Sequence, residues 1–189
     1  MKIDQITLEN YRCYSKLEIK FHPQMTVLVA NNGQGKTSVL DAVRVALWPF
    51  VSQFDLANTP YKDPANTITI DDVRIVKAVS STRAASFGVL DEMVRKFPAS
   101  VTARGCYGAG TTVWQRFRDS EAAKSQTKDD KNCRALKVFA KNLQKKVREQ
   151  THTPITLPVF GYYGTGRLWK EKRLTESKRG QNANDENIR

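Results

Sequence analysis

The residues with the clearest chemical pattern are Asn32-Gly33-Gln34-Gly35-Lys36-Thr37-Ser38, a glycine-rich turn that follows the apolar run Val27-Leu28-Val29-Ala30. Glycines let the backbone wrap closely around an anion so that successive N–H groups point inward, and a helix starting there adds the positive end of its dipole. The pattern predicts a nucleotide phosphate cradle. In it Lys36 reaches the β- and γ-phosphates of ATP, and the Thr37 hydroxyl holds Mg2+. The full consensus, G-x-x-x-x-G-K-[ST], has glycine where this chain carries Ala30. That departure matters only if the position needs a positive φ or a very close backbone approach. The competing reading is an ordinary strand-turn-helix with a surface lysine.

Such a cradle needs a strand before it and a helix after it. Met25 to Val29 is apolar without alternation and reads as a buried strand, while Ser38 to Leu47 reads as a helix closed by Pro49. Upstream, Ile6 and Leu8, then Leu17, Ile19 and Phe21, alternate with polar neighbours. They predict two half-buried strands joined by a short turn near Arg12 to Ser15. Downstream, a polar loop spans Asn58 to Asn66, Thr67 to Val79 reads as one strand or a hairpin, and Ser100 to Arg104 as a strand ending at Gly105. Ser120 to Asn132 turns polar and charged, as a flexible loop does.

A helix is expected next, because Leu136, Phe139, Ala140, Leu143 and Val147 fall on one helical face with Lys137, Lys141, Lys145 and Arg148 off it. Those cations form either a solvated face or a DNA-binding one. Leu157 to Tyr163 reads as a buried strand that runs into Gly164-Thr165-Gly166-Arg167. Either Thr165 or Arg167 approaches a nucleotide beyond the strand ends, or the segment is a tight turn with Arg167 paired to an acid. Residues 170–189 hold only Leu174 and Ile188 as large apolar side chains. The chain therefore divides into a domain over 1–169 and a polar tail over 170–189 expected to be disordered.

The formal charge of +12 favours contact with polyanions, DNA first among them, although basic residues also solubilise a surface. Cys13, Cys106 and Cys133 share no C-x-x-C spacing, which argues against a zinc site or a disulfide framework and fits a reducing, cytoplasmic setting. No apolar stretch is long enough to span a membrane, and no signal-peptide core follows Met1.

With these residues laid out, the N-terminal part resembles the RecF/SMC/SbcC group of ABC-type ATPases. The resemblance is carried by Leu8-Glu9-Asn10-Tyr11-Arg12, by Leu17-Glu18-Ile19, by the Asn32 to Ser38 core and by Leu40-Asp41-Ala42, and covers residues 1 to about 48. The segment Leu157 to Trp169 is similar to one in a bacterial branch of ATP-binding proteins related to OLD-like and anti-phage defence ATPases. The resemblance implies an α/β P-loop NTPase lobe: a mixed sheet flanked by helices, with antiparallel N-terminal strands. It implies an ATP-operated homodimer in which each nucleotide is sandwiched between one subunit's phosphate loop and its partner's signature motif. Such proteins act on DNA in break repair, gap repair or phage defence, some with a partner nuclease or toxin. It also implies that Arg12 lies close to the nucleotide.

Several parts of that machinery have no match here. The sequence holds no Leu-Ser-Gly-Gly signature, no long apolar strand ending in Asp-Glu and no histidine following one. Asp91 and Glu92 are weak candidates for the Mg2+ aspartate and the water-positioning group, since only Val89 and Leu90 precede them as an apolar run and Asp91 to Phe97 reads as a short helix. The expected function is an ATP-binding lobe that hydrolyses ATP only together with a further half. The alternative is a basic nucleic-acid-binding or partner-regulating module with a vestigial loop.

Overall fold

The computed structural model describes residues 1–57, 63–78, 92–108, 110–122, 125–149 and 155–164. Its first two strands, β1 (Lys2–Tyr11) and β2 (Tyr14–Lys20), form the expected antiparallel hairpin, with Leu8 opposite Leu17 and Ile6 opposite Ile19. The helix α1 (Lys36–Val51) follows the glycine turn. After three short 3-10 turns come β3 (Ile75–Ala78) and β4 (Glu92–Arg95), which pair in a small sheet of their own. The chain continues through β5 (Ala99–Tyr107), β6 (Gly110–Arg118), β7 (Lys128–Asp129) and the helix α2 (Lys131–Arg148).

The main sheet runs β2-β1-β5-β6-β7, and every pairing among the described residues is antiparallel. Ile6, Leu8, Val101, Ala103 and Trp114 line one face of it and are almost fully buried. Against that face pack Val39, Ala42, Val45 and Phe50 of α1 with Cys133, Leu136 and Ala140 of α2. Of the stripe read for α2, Leu136 and Ala140 enter the core and Phe139 and Leu143 pack against it, while Val147 is exposed. The outcome is an α/β domain in which α1 crosses the sheet and carries the glycine turn at its N-terminus.

Several expectations need correction. Met25 to Val29 is not a buried strand: no ladder partner pairs with it among the described residues, and Met25, Val27 and Val29 are 71%, 71% and 90% exposed. An apolar run becomes a buried strand only where neighbouring strands accept its hydrogen bonds. Leu157 to Tyr163 is likewise irregular, with Val159 and Tyr163 exposed; it lies along α1, Phe160 edge-on to Phe50. Thr67 to Val79 contains a 3-10 turn at Ile70–Asp72 before β3. Asp91 to Phe97 is not a helix, because residues 92–95 pair with β3 as β4. Residues 128–132, read as loop, form β7 and the first turn of α2. The expected tail over 170–189, and Asn58, Pro60, Thr165 and Arg167, lie outside the described residues.

Pro49 does not close α1; it sits inside the helix, buried. A proline there cannot bond the carbonyl of Val45 four residues back. The strand β6 supplies the missing donor and adds a second one beside it. Arg116 donates to Val45 O at 3.0 Å, and the Trp114 indole N–H donates to Ala46 O at 2.9 Å.

Candidate functional site: the phosphate loop and its supports

The glycine turn shows why each small residue stands where it does. Gly33 and Gly35 hold φ of 83° and 85°, the left-handed region that side chains disfavour. Ala30 takes no such conformation, so the missing consensus glycine leaves no strain. Gly35 is required a second time by its surroundings. A Cβ there would sit 2.4 Å from Tyr14 Oη and 2.6 Å from Cys13 Sγ. Tyr14, from the end of the β1–β2 turn, donates its hydroxyl proton to Gln34 O at 3.0 Å and so buttresses the loop from below. Burial, with the neighbouring Cys13, pushes the Tyr14 phenol above its ordinary range and keeps it a donor.

Gly35 is the N-cap of α1, no side chain caps this helix end, and its first turn holds no acid. The first-turn amides and the helix dipole are therefore available to an anion. Lys36 Nζ folds back onto the loop, donating to Ala30 O at 2.5 Å and Asn31 O at 2.8 Å. Phosphate oxygens would replace those carbonyls as its partners. Thr37 is exposed next to Lys36, and Ser38 is buried beneath it. The donor set fits a nucleotide phosphate chain with its Mg2+: backbone amides at an uncapped helix N-terminus, one ammonium and one hydroxyl.

Arg12, in the β1–β2 turn, is held by two carboxylates. Its Nε donates to Asp72 Oδ1 at 2.8 Å and its Nη1 to Asp41 Oδ2 at 2.5 Å, while the guanidinium lies 5.4 Å from the Tyr11 ring centroid. Asp41 also accepts the Tyr162 hydroxyl, and Arg44 lies over the Tyr162 ring. Burial and the Asp41 carboxylate push the Tyr162 phenol up to about 12. Asp41 thus ties together the β1–β2 turn, α1 and the 155–164 segment. Asp72, Tyr14 and Tyr162 had no motif to announce them in the sequence, since each acts through one contact set by the fold. Glu92 opens β4, in the small sheet with β3, and Asp91 lies outside the described residues.

A groove of about 800 Å³ runs beside the loop between residues 25–28 and the exposed side of α1, lined by Lys36, Thr37, Leu40 and Val43. Among the described residues no helix is long and apolar enough to cross a membrane, and no group of His, Cys, Asp and Glu forms a metal cluster.

Over 43 residues, 23% of this chain, the sequence is 44% identical to the DNA replication and repair protein RecF of Lactococcus lactis subsp. cremoris (strain MG1363). Over a stretch of equal length it is 42% identical to RecF of Staphylococcus aureus (strain JH9). The stretch is 12% of either RecF, so the likeness speaks for a small part of those proteins. A far longer match runs over residues 5–188 to the AAA domain family. With that span and this phosphate loop, the chain belongs to the AAA domain family of P-loop ATPases.

Proposed function

We propose that this chain is the ATP-binding lobe of a RecF-like ATPase that works on DNA, in double-strand break repair or phage defence. The observation that carries the reading is the uncapped N-terminus of α1, with Gly33 and Gly35 in the left-handed conformation and Lys36 folded over the loop. In this reading Asn32 to Gly35 offer backbone amides to the phosphates. Lys36 exchanges its two carbonyl partners for β- and γ-phosphate oxygens, and Thr37 coordinates Mg2+. The bound Mg2+ would neutralise phosphate charge as it builds during transfer. Arg12 would have to exchange Asp41 and Asp72 for the nucleotide to act on it.

Hydrolysis in this reading requires a second lobe that brings the signature motif and the water-positioning group, with Asp91 and Glu92 as weak candidates within the chain. The segment at 25–29, which has no ladder partner among the described residues, supports such a lobe, since its backbone offers a ladder edge beside the loop. A DNA partner is supported by the charge of +12 and by α2, which carries seven Lys and Arg residues and no acid. A homodimer, a partner nuclease and a cytoplasmic location belong to the same reading.

Calorimetry with ATP and Mg2+ tests it. The chain should bind, and Lys36→Ala should weaken binding by about 100-fold, the size of a lost charge-assisted contact. Equal affinity in both proteins would remove the phosphate loop from the function. DNA affinity that falls steeply with salt but ignores both ATP and Lys36→Ala would instead favour the module with a vestigial loop.

A further inference from the structure

At the far end of α1 the sheet buries a second positive site. On β6, residues 114, 116 and 118 share the face that enters the core, so Arg116 and Arg118 are buried although both are charged, at 5% and 7% exposure. Arg116 is ion-paired and anchored, with Asp129 at 2.8 Å, Val45 O and Asn66 O. Arg118 is not. Its one hydrogen bond runs from Nε to Ser120 O at 3.1 Å, and no carboxylate among the described residues lies within ion-pair distance of it. The neighbouring Asp119 pairs with Lys128 instead. The two Nη groups, unlike Nε, have no protein acceptor among the described residues and open onto the adjoining cavity, where an anion would accept from both.

Arg118 lines a cavity of about 740 Å³ walled by Trp48, Ile68 and Ile70, with Ser125, Gln126 and Lys137 also facing it. Such a volume suits an organic ligand, not a bare ion. The charged groups that line it, Arg116, Arg118 and Lys137 against Asp63 and Asp129, leave an excess of 3 − 2 = +1, which calls for an anion. The Arg fork matches phosphate oxygens two at a time. Trp48 lies twelve residues along α1 from Lys36, about 18 Å by the helical rise, so this cavity is separate from the phosphate loop.

We propose that the cavity is a second anion site, which binds an organic phosphomonoester with its phosphate on Arg118 and its apolar part against Trp48, Ile68 and Ile70. It goes beyond the ATP reading and does not depend on it.

The test uses the full chain carrying Lys36→Ala, so that the phosphate loop does not contribute, with phenyl phosphate as probe and sodium chloride at matched ionic strength as control. Thermal unfolding should shift upward with phenyl phosphate, and titration calorimetry should give an affinity that falls about 10-fold or more on adding Arg118→Gln, as expected for losing a charge-assisted pair. Inorganic phosphate should bind the same site more weakly, since it leaves the apolar wall unused. Arg118→Lys keeps the charge without the fork and should give an intermediate affinity, which preserves the test if the glutamine variant folds poorly. A response to phenyl phosphate no larger than to chloride, or one that survives both Arg118 substitutions unchanged, would overturn the assignment.

Discussion

Gly33 (φ 83°) and Gly35 (φ 85°) share a backbone conformation but not surroundings. Nothing lies within 4 Å of a Cβ built on Gly33, whereas one on Gly35 would run into Tyr14 and Cys13. Gly33→Ala should therefore lower stability by about 1–2 kcal/mol, the cost of a left-handed alanine. Gly35→Ala should cost about 3 kcal/mol, because it also displaces Tyr14 from Gln34 O and opens the loop's support. Urea unfolding of the two variants measures the difference, and an equal cost would mean that Tyr14 does not brace the loop. The glycines and Lys36 were legible in the sequence because a phosphate cradle restricts residue type at fixed spacing. Tyr14 and Asp72 were not, since any residue of the right reach could serve there and only the folded chain brings them to Gln34 and Arg12.

Among the elements, the coupling of α1 to β6 was the hardest to foresee. Inward positions 114, 116 and 118 of β6 hold Trp, Arg and Arg, so the apolar alternation that betrays a half-buried strand is absent. Arg116 meets the Val45 carbonyl that Pro49 frees inside α1. Arg116→Met should cost about 3 kcal/mol, as it leaves Val45 O and Asn66 O without donors and Asp129 with Lys137 alone. In a Pro49→Ala background the helix regains its own donor, and the same substitution should cost about 1 kcal/mol less. Strict additivity in that double-mutant cycle would break the link between proline and arginine.

The same cluster sets an acid limit. Burial works against the Asp129 carboxylate, but its bonds to Lys137 and Arg116 outweigh that and hold it below the ordinary carboxylate range. Since the folded value is the lower one, this contribution is complete above about pH 4, where the unfolded carboxylate ionises, and drains away as pH falls through the folded value. Chemical denaturation between pH 2 and 5 should show stability falling with acid, with a slope that flattens in Asp129→Asn; an unchanged slope would exclude Asp129 as its source.

On the scale of the molecule, the antiparallel hairpin, α1 and α2 were readable because each buries its own apolar stripe against a neighbour within the described chain. Met25 to Val29 failed for the opposite reason: its composition belongs to a strand covered on both faces, and only Leu28 of the segment is half-buried against the core. Sequence records what a segment is built to contact, including contacts the described residues do not make. If that is so, the segment contributes little here. Val29, at 90% exposure, can become lysine with a change in unfolding free energy within about 0.5 kcal/mol, as for other surface sites, while a buried strand position would lose several times more. The same substitution should abolish association with the second lobe proposed above, because it sets a charge on the edge where a neighbouring strand would pair. Urea unfolding of Val29→Lys, followed by pull-down of a separately expressed second lobe, reads both effects. A large loss of stability in the chain alone would show that residues 25–29 are already packed, and would remove the case for an open edge beside the phosphate loop.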